Sequence, residues 1–147
     1  MGFFADGKMK KMSVRGGVPI TLADAPSHRG AHWGEQGAIV FAPIARAGLF
    51  TVSANGGVPA VLTTPDAERL ETSHVSPRWL PGGKAVVYVA RGETQASGAL
   101  VVFSLEARES RVLLDGDALP RYIPTGHLVF LHQGALIAAP FDLERLE

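Results

Sequence analysis

The sequence predicts an all-β chain made of repeated four-stranded antiparallel sheets, and three observations carry that prediction. Residues 13–22 read Ser-Val-Arg-Gly-Gly-Val-Pro-Ile-Thr-Leu, and residues 53–62, forty positions on, read Ser-Ala-Asn-Gly-Gly-Val-Pro-Ala-Val-Leu. An aromatic, a turn glycine and a second aromatic recur as Trp33–Gly37–Phe41, Trp79–Gly83–Tyr88 and Tyr122–Gly126–Phe130. With 17 glycines and 10 prolines, no segment sustains a helical period. A period near 40 residues holding four short strands is that of a β-propeller blade. The fold class is therefore a partial β-propeller of about three to four blades.

Each unit is read in the same order. The aromatic closes a first strand, and the turn follows as Gly-Glu-Gln-Gly at 34–37, Pro-Gly-Gly-Lys at 81–84 and Pro-Thr-Gly at 124–126. Glycine supplies the positive φ of such tight turns. Second strands are expected at 38–42, 85–90 and 127–131, rich in Val and Ile as a sheet packed on both faces requires. Third strands are expected at 49–53, 100–104 and 136–140, and fourth strands at 60–63 and 111–114. The start reads as the end of a second strand at Phe3-Phe4, an Asp6-Gly7 hairpin and a third strand over 9–14. The chain thus enters a blade one strand late and stops one strand early. A brief helical turn is expected at 142–146.

A length of 147 residues suits one domain, a single partial propeller over 1–147 with blade remnants at 2–24, 28–64, 74–115 and 118–141. Apolar residues make up 46% of the chain, ample for a buried core. The net charge is zero, with 14 basic and 14 acidic residues well mixed. The one basic cluster, Lys8-Met9-Lys10-Lys11, is read as an exposed hairpin face, since nucleic-acid recognition calls for a larger basic stripe. Without cysteine there are no disulfides and no thiolate zinc sites. No apolar run approaches the ~20 residues of a membrane span. Met1-Gly2-Phe3-Phe4-Ala5-Asp6 lacks the basic leader and apolar stretch of a signal peptide, so the chain as written is expected to be cytoplasmic.

The blade pattern resembles the TolB-type, WD-like six-bladed propeller repeat, whose first strand commonly ends in an aromatic or Ser followed by Pro-Asp-Gly. Trp79-Leu80-Pro81-Gly82-Gly83 is the nearest match, with Gly82 where that family usually has Asp. Phe4-Ala5-Asp6-Gly7, Arg29-Gly30-Ala31-His32-Trp33 and Glu71-Thr72-Ser73-His74 are similar to the propellers fused behind bacterial serine/threonine kinases. The resemblance implies a bacterial sensor propeller that binds a protein or ligand, periplasmic or extracytoplasmic in its parent protein. It brings no catalytic residue to this chain, which has roughly half the blades of a closed ring. Apolar flanks and open strand edges at the two ends imply self-association or membership of a longer propeller.

Candidate chemistry is sparse. His28 and His32 fall in a loop-to-strand segment, where a spacing of four does not carry the helical metal-ligand meaning. Ser27-His28 and Ser73-His74 are neighbours without a Gly-x-Ser-x-Gly elbow. Asp66, Glu68 and Glu71 lie in the 64–72 connector, and Asp115 and Asp117 flank Gly116, all read as turn acids rather than a calcium loop. Gly16-Gly17 and Gly56-Gly57 precede Val-Pro rather than a helix and are read as hairpin turns. Trp33, Trp79 and Tyr122 are expected in the core, packing blade on blade.

First strands line the central channel of a propeller. The channel-facing binding candidates are accordingly Arg29, His32, His74, Arg78 and Arg121, which would favour a protein segment or a small anionic ligand. The bland alternatives are salt bridges for the arginines and backbone capping for the histidines. No catalytic residue, metal or cofactor is assigned. The function expected is a non-enzymatic binding module. Its rivals are a hydrolytic or metal-dependent enzyme with a site at the channel mouth built from His32, His74 and the first-strand arginines, and the accessory propeller of a serine peptidase.

Overall fold

The computed structural model describes residues 1–94, 98–116 and 119–147. Among them, fourteen strands form four antiparallel sheets in chain order. The first sheet holds β1 (Gly2–Ala5), β2 (Lys8–Lys11) and β3 (Ile20–Asp24). The second holds β4 (Ala31–Trp33), β5 (Ala38–Phe41), β6 (Phe50–Ser53) and β7 (Ala60–Val61). The third holds β8 (Glu71–Trp79), β9 (Ala85–Gly92), β10 (Ala99–Ser104) and β11 (Glu109–Asp115). The fourth holds β12 (Arg121–Ile123), β13 (His127–His132) and β14 (Ala135–Pro140). In every sheet the strands are adjacent in chain order, so each is a meander from inside to outside.

The chain is all-β, and its sheets are the repeated units read from the sequence. β2 and β3 slip register after Met9, as β10 and β11 do after Leu100. That shared bulge aligns β2–β3 with the outer pair of the third sheet. The first sheet therefore lacks an inner strand and the fourth an outer one. Several boundaries move by one or two residues, β7 ending at Val61 and β11 starting at Glu109, and two move further. β2 ends at Lys11, short of Val14, and β8 starts at Glu71, inside the expected connector. Asp117, and residue 118 at the start of the last remnant, lie outside the described residues.

The core is divided between sheets, as a stack of two-faced layers requires. Met9, Leu22 and Ala25 meet Ile39, Phe41 and Val52 between the first and second sheets. Val40, Leu49 and Leu62 meet Trp79, Val86 and Tyr88 between the second and third. Leu80, Val87, Leu100 and Val102 meet Leu128, Phe130 and Phe141 between the third and fourth. β9 is buried along Ala85–Ala90 because both of its faces are covered, which is why it reads as an unbroken apolar run. The two ends of the stack differ. On the open face of the first sheet, Lys8 pairs with Asp24 and Lys10 with Asp6. The open face of the fourth shows Leu131 and Leu136. Among the described residues no helix is long and apolar enough to cross a membrane.

Candidate functional site: a cationic cleft on the inner strands

Strands β4, β8 and β12 are the inner strands of three successive sheets. Residues Arg29 and Gly30 run directly against β8: the Ser76 N–H donates to the Arg29 carbonyl at 2.8 Å. Only a glycine tolerates this approach. A Cβ on Gly30 would stand 3.2 Å from the Ser76 Cα, and Gly30 adopts φ +110. β8 meets it with a bulge between Val75 and Arg78, where Ser76 takes φ +53 before Pro77. A bulge re-aims the side chains that follow it. The next residue is Arg78, and it lines the cleft.

That cleft, of about 370 Å³, is walled by Trp33, Trp79, Leu80, Pro81 and Tyr122 and carries His32, Arg78 and Arg121, with Glu35 and Gln36 also in its lining. The three polar groups are equivalent. Each immediately precedes the aromatic that ends its inner strand, Trp33, Trp79 or Tyr122. A second cavity of about 190 Å³ is also lined by Arg78 and Arg121, together with Gly30, Pro77 and Pro120. The two guanidiniums are shared by both hollows.

The site is rich in donors. His32 Nδ1 accepts the Trp79 backbone N–H at 3.0 Å, so the neutral ring carries its proton on Nε2. Burial first, and then the charges of Arg78 and Arg121, hold the His32 pKa below its usual value. Burial and the facing Arg121 likewise lower that of Arg78. The Trp79 indole N–H is buried with no hydrogen-bond partner among the described residues. Gly34 leaves room for this indole, since a Cβ there would lie 2.8 Å from Trp79 Cδ1. Lys8, Lys10, Arg46, Arg69, Arg111 and Arg145 each find a carboxylate. Among the described residues Arg78 and Arg121 have none, so the salt-bridge reading of these two arginines does not hold.

The other two candidates lie elsewhere. Arg29 is exposed and does not line the cleft; its backbone, through the Ser76 bond, is what the inner wall uses. His74 is 1% exposed and away from both cavities. Its Nδ1 lies 2.7 Å from Thr63 Oγ1 and its Nε2 lies 2.9 Å from Glu71 Oε2. Thr63 Oγ1 also accepts the Leu49 N–H at 2.9 Å. Burial, against the opposing pull of Glu71, keeps His74 below its usual pKa and neutral. The hydroxyl, imidazole and carboxylate form a line, but with Thr63 only 5% exposed no substrate reaches the hydroxyl. The line clasps the connector after β7 to the start of β8. Channel-facing His74 is thus corrected to a structural clasp.

Trp33 also departs from expectation. It is 40% exposed where its equivalent Trp79 is 8%, because its neighbour is the first sheet, which has no inner strand for it to pack on. What sequence reasoning missed was the equivalence of His32 with Arg78 and Arg121. Stepping one residue back from each aromatic anchor would have found it, and would have set Arg29 aside. Among the described residues no three His, Asp or Glu gather in a form suited to a metal ion.

No protein-family model matches the chain, and no curated protein sequence does. Solved structures similar in fold include the following two. TolB from Acinetobacter baumannii superposes with a TM-score of 0.71 at 15% identity, over 95% of this chain and 36% of TolB. A Mycobacterium tuberculosis puromycin-hydrolyzing peptidase gives a TM-score of 0.61 at 23% identity, over 85% of this chain and 24% of the peptidase. The chain therefore spans about a third of the one and a quarter of the other. Likeness at these identities carries the fold and no activity. The fold is a TolB-like partial β-propeller.

Proposed function

We propose that this chain is a binding module, acting as a single unit, that captures an anionic ligand or an acidic peptide segment in the inner-strand cleft. One observation carries the reading: two guanidiniums that have no carboxylate partner among the described residues line a shared hollow with His32, against a single lining carboxylate, Glu35. Holding two like charges together is unfavourable unless an anion offsets them, and bidentate guanidinium contacts are the strong form of carboxylate recognition. The walls of Trp33, Leu80 and Tyr122 add apolar surface, so a carboxylate attached to an aromatic or aliphatic group fits better than a bare inorganic ion.

The test is calorimetric titration of the full chain at low ionic strength with benzoate and with benzamide, its neutral counterpart. Benzoate should bind saturably and lose affinity with added salt, and benzamide should be at least tenfold weaker. Arg78→Gln with Arg121→Gln should cost about tenfold or more, as loss of charge-assisted hydrogen bonds implies. Equal binding of the two probes, or an indifferent double variant, would overturn the proposal.

A further inference from the structure

We infer that the cleft takes a zwitterion: an apolar carboxylate that carries an ammonium group at its far end, the ammonium being received by Glu35. This ligand class rests on the anion reading above, to which it adds the one carboxylate among the described lining residues. The cleft spans three sheets, and its charges are sorted among them. Arg78 belongs to β8 of the third sheet and Arg121 to β12 of the fourth. Glu35 belongs to the turn that follows β4 in the second. His32 sits at the cationic end, since the charges of Arg78 and Arg121 both act on its ring. Among the described residues Glu35 makes no ion pair or hydrogen bond, with these cations or with any other group. Opposite charges that share a hollow without pairing leave room for a ligand that joins them.

The repeat shows that the turn itself does not call for this acid. Two residues on from each aromatic anchor stand Glu35, Pro81 and Pro124. Proline suits a turn because its ring pre-sets φ, so two of the three units fill the position for geometry alone. In the second sheet the same position holds a carboxylate that supports no backbone group. Its neighbour Gln36 does the structural task instead. The Gln36 amide nitrogen donates to the Gly82 carbonyl at 3.0 Å, which ties the Glu35 turn to Pro81–Gly83 of the third sheet and holds it at the cleft. A lone carboxylate suits an ammonium, whose N–H donors it accepts directly, better than a metal ion, which needs further oxygen ligands. With the carboxylate and the guanidiniums on different sheets, the two charges of the ligand belong at opposite ends of its apolar body rather than on one carbon.

The probes are para-(aminomethyl)benzoate and para-methylbenzoate, which differ by the ammonium alone, titrated calorimetrically into the full chain at pH 7.5 and low ionic strength. The aminomethyl compound should bind about threefold tighter, the gain expected of one solvent-exposed ion pair. Glu35→Gln, checked for folding by circular dichroism, should erase that preference, and Glu35→Lys should reverse it. Phenylglycine, an isomer of the aminomethyl probe with both charges on one carbon, should bind more weakly than that probe. If para-methylbenzoate binds and the aminomethyl compound is no tighter, the zwitterion assignment falls while the anion reading stands. A preference that survives both Glu35 variants, or phenylglycine binding as tightly as its isomer, overturns the assignment in the same way. If neither benzoate binds the folded chain, both fall together.

Discussion

Replacing Thr63 by valine removes one hydroxyl from a site where everything depends on it. The side chain is isosteric and remains buried, so packing is conserved. Lost are the acceptor for the Leu49 N–H at 2.9 Å and the donor to His74 Nδ1 at 2.7 Å. Both groups stay buried without replacement partners. A buried polar group left unsatisfied costs about 1–3 kcal/mol, so two give about 2–6 kcal/mol, less a few tenths for the added methyl's burial. Taking about 3 kcal/mol, a chain of this size should melt about 6–12 °C lower. Urea unfolding followed by tryptophan fluorescence measures the loss directly, and the slope with denaturant should not change. Thr63→Ser is the control. It retains both hydrogen bonds and loses one methyl, costing about 1 kcal/mol. If the valine variant lies within about 0.5 kcal/mol of the parent, or if serine is as damaging as valine, the clasp contributes nothing.

Three other outcomes follow from the same geometry. His32 and His74 both have pKa values below the usual imidazole value, so the unfolded chain takes up protons first as pH falls below about 6.5. Stability should be full above that pH, decline toward the folded-state values and then level off, as urea midpoints between pH 7.5 and 5 would show. Protonated His32 adds a third cation to the cleft, so benzoate affinity should increase as pH drops below about 6.5, and His32→Gln should flatten that profile in calorimetry. Gly30→Ala places a Cβ 3.2 Å from the Ser76 Cα at φ +110, which should cost about 1–3 kcal/mol in urea unfolding and weaken benzoate binding by pushing the inner walls apart.

The fold was legible because the signals that specify it are local and repeated. Turn glycines, the Gly-Gly-Val-Pro hairpins and the aromatic anchors marked the strands to within a few residues, and the count of strands at each end followed from the same register. Burial was harder to read. His74 looks like any strand histidine until Thr63 and Glu71, 11 and 3 positions away, are seen to fold against its two ring nitrogens. Trp33 and Trp79 are alike in sequence, and their exposure differs because of what the preceding sheet lacks, which no window around Trp33 contains. The cleft was half visible. Arg78, Arg121 and His32 were all named from the sequence, but Arg29 was grouped with the two arginines in the place that His32 holds, since charge is conspicuous in a sequence while equivalence of position has to be counted.

The partition of the core into three separate clusters, each trapped between adjacent sheets, has a mechanical consequence. A load applied across the termini meets no single keystone. It would strip the outermost layers first, one rupture per layer, and reach β8–β11 last, because that layer has the longest strands and, like the second, neighbours bearing on both sides. Such a chain should yield in a staircase of small force peaks rather than one sharp break, and each step would release the length of one repeat.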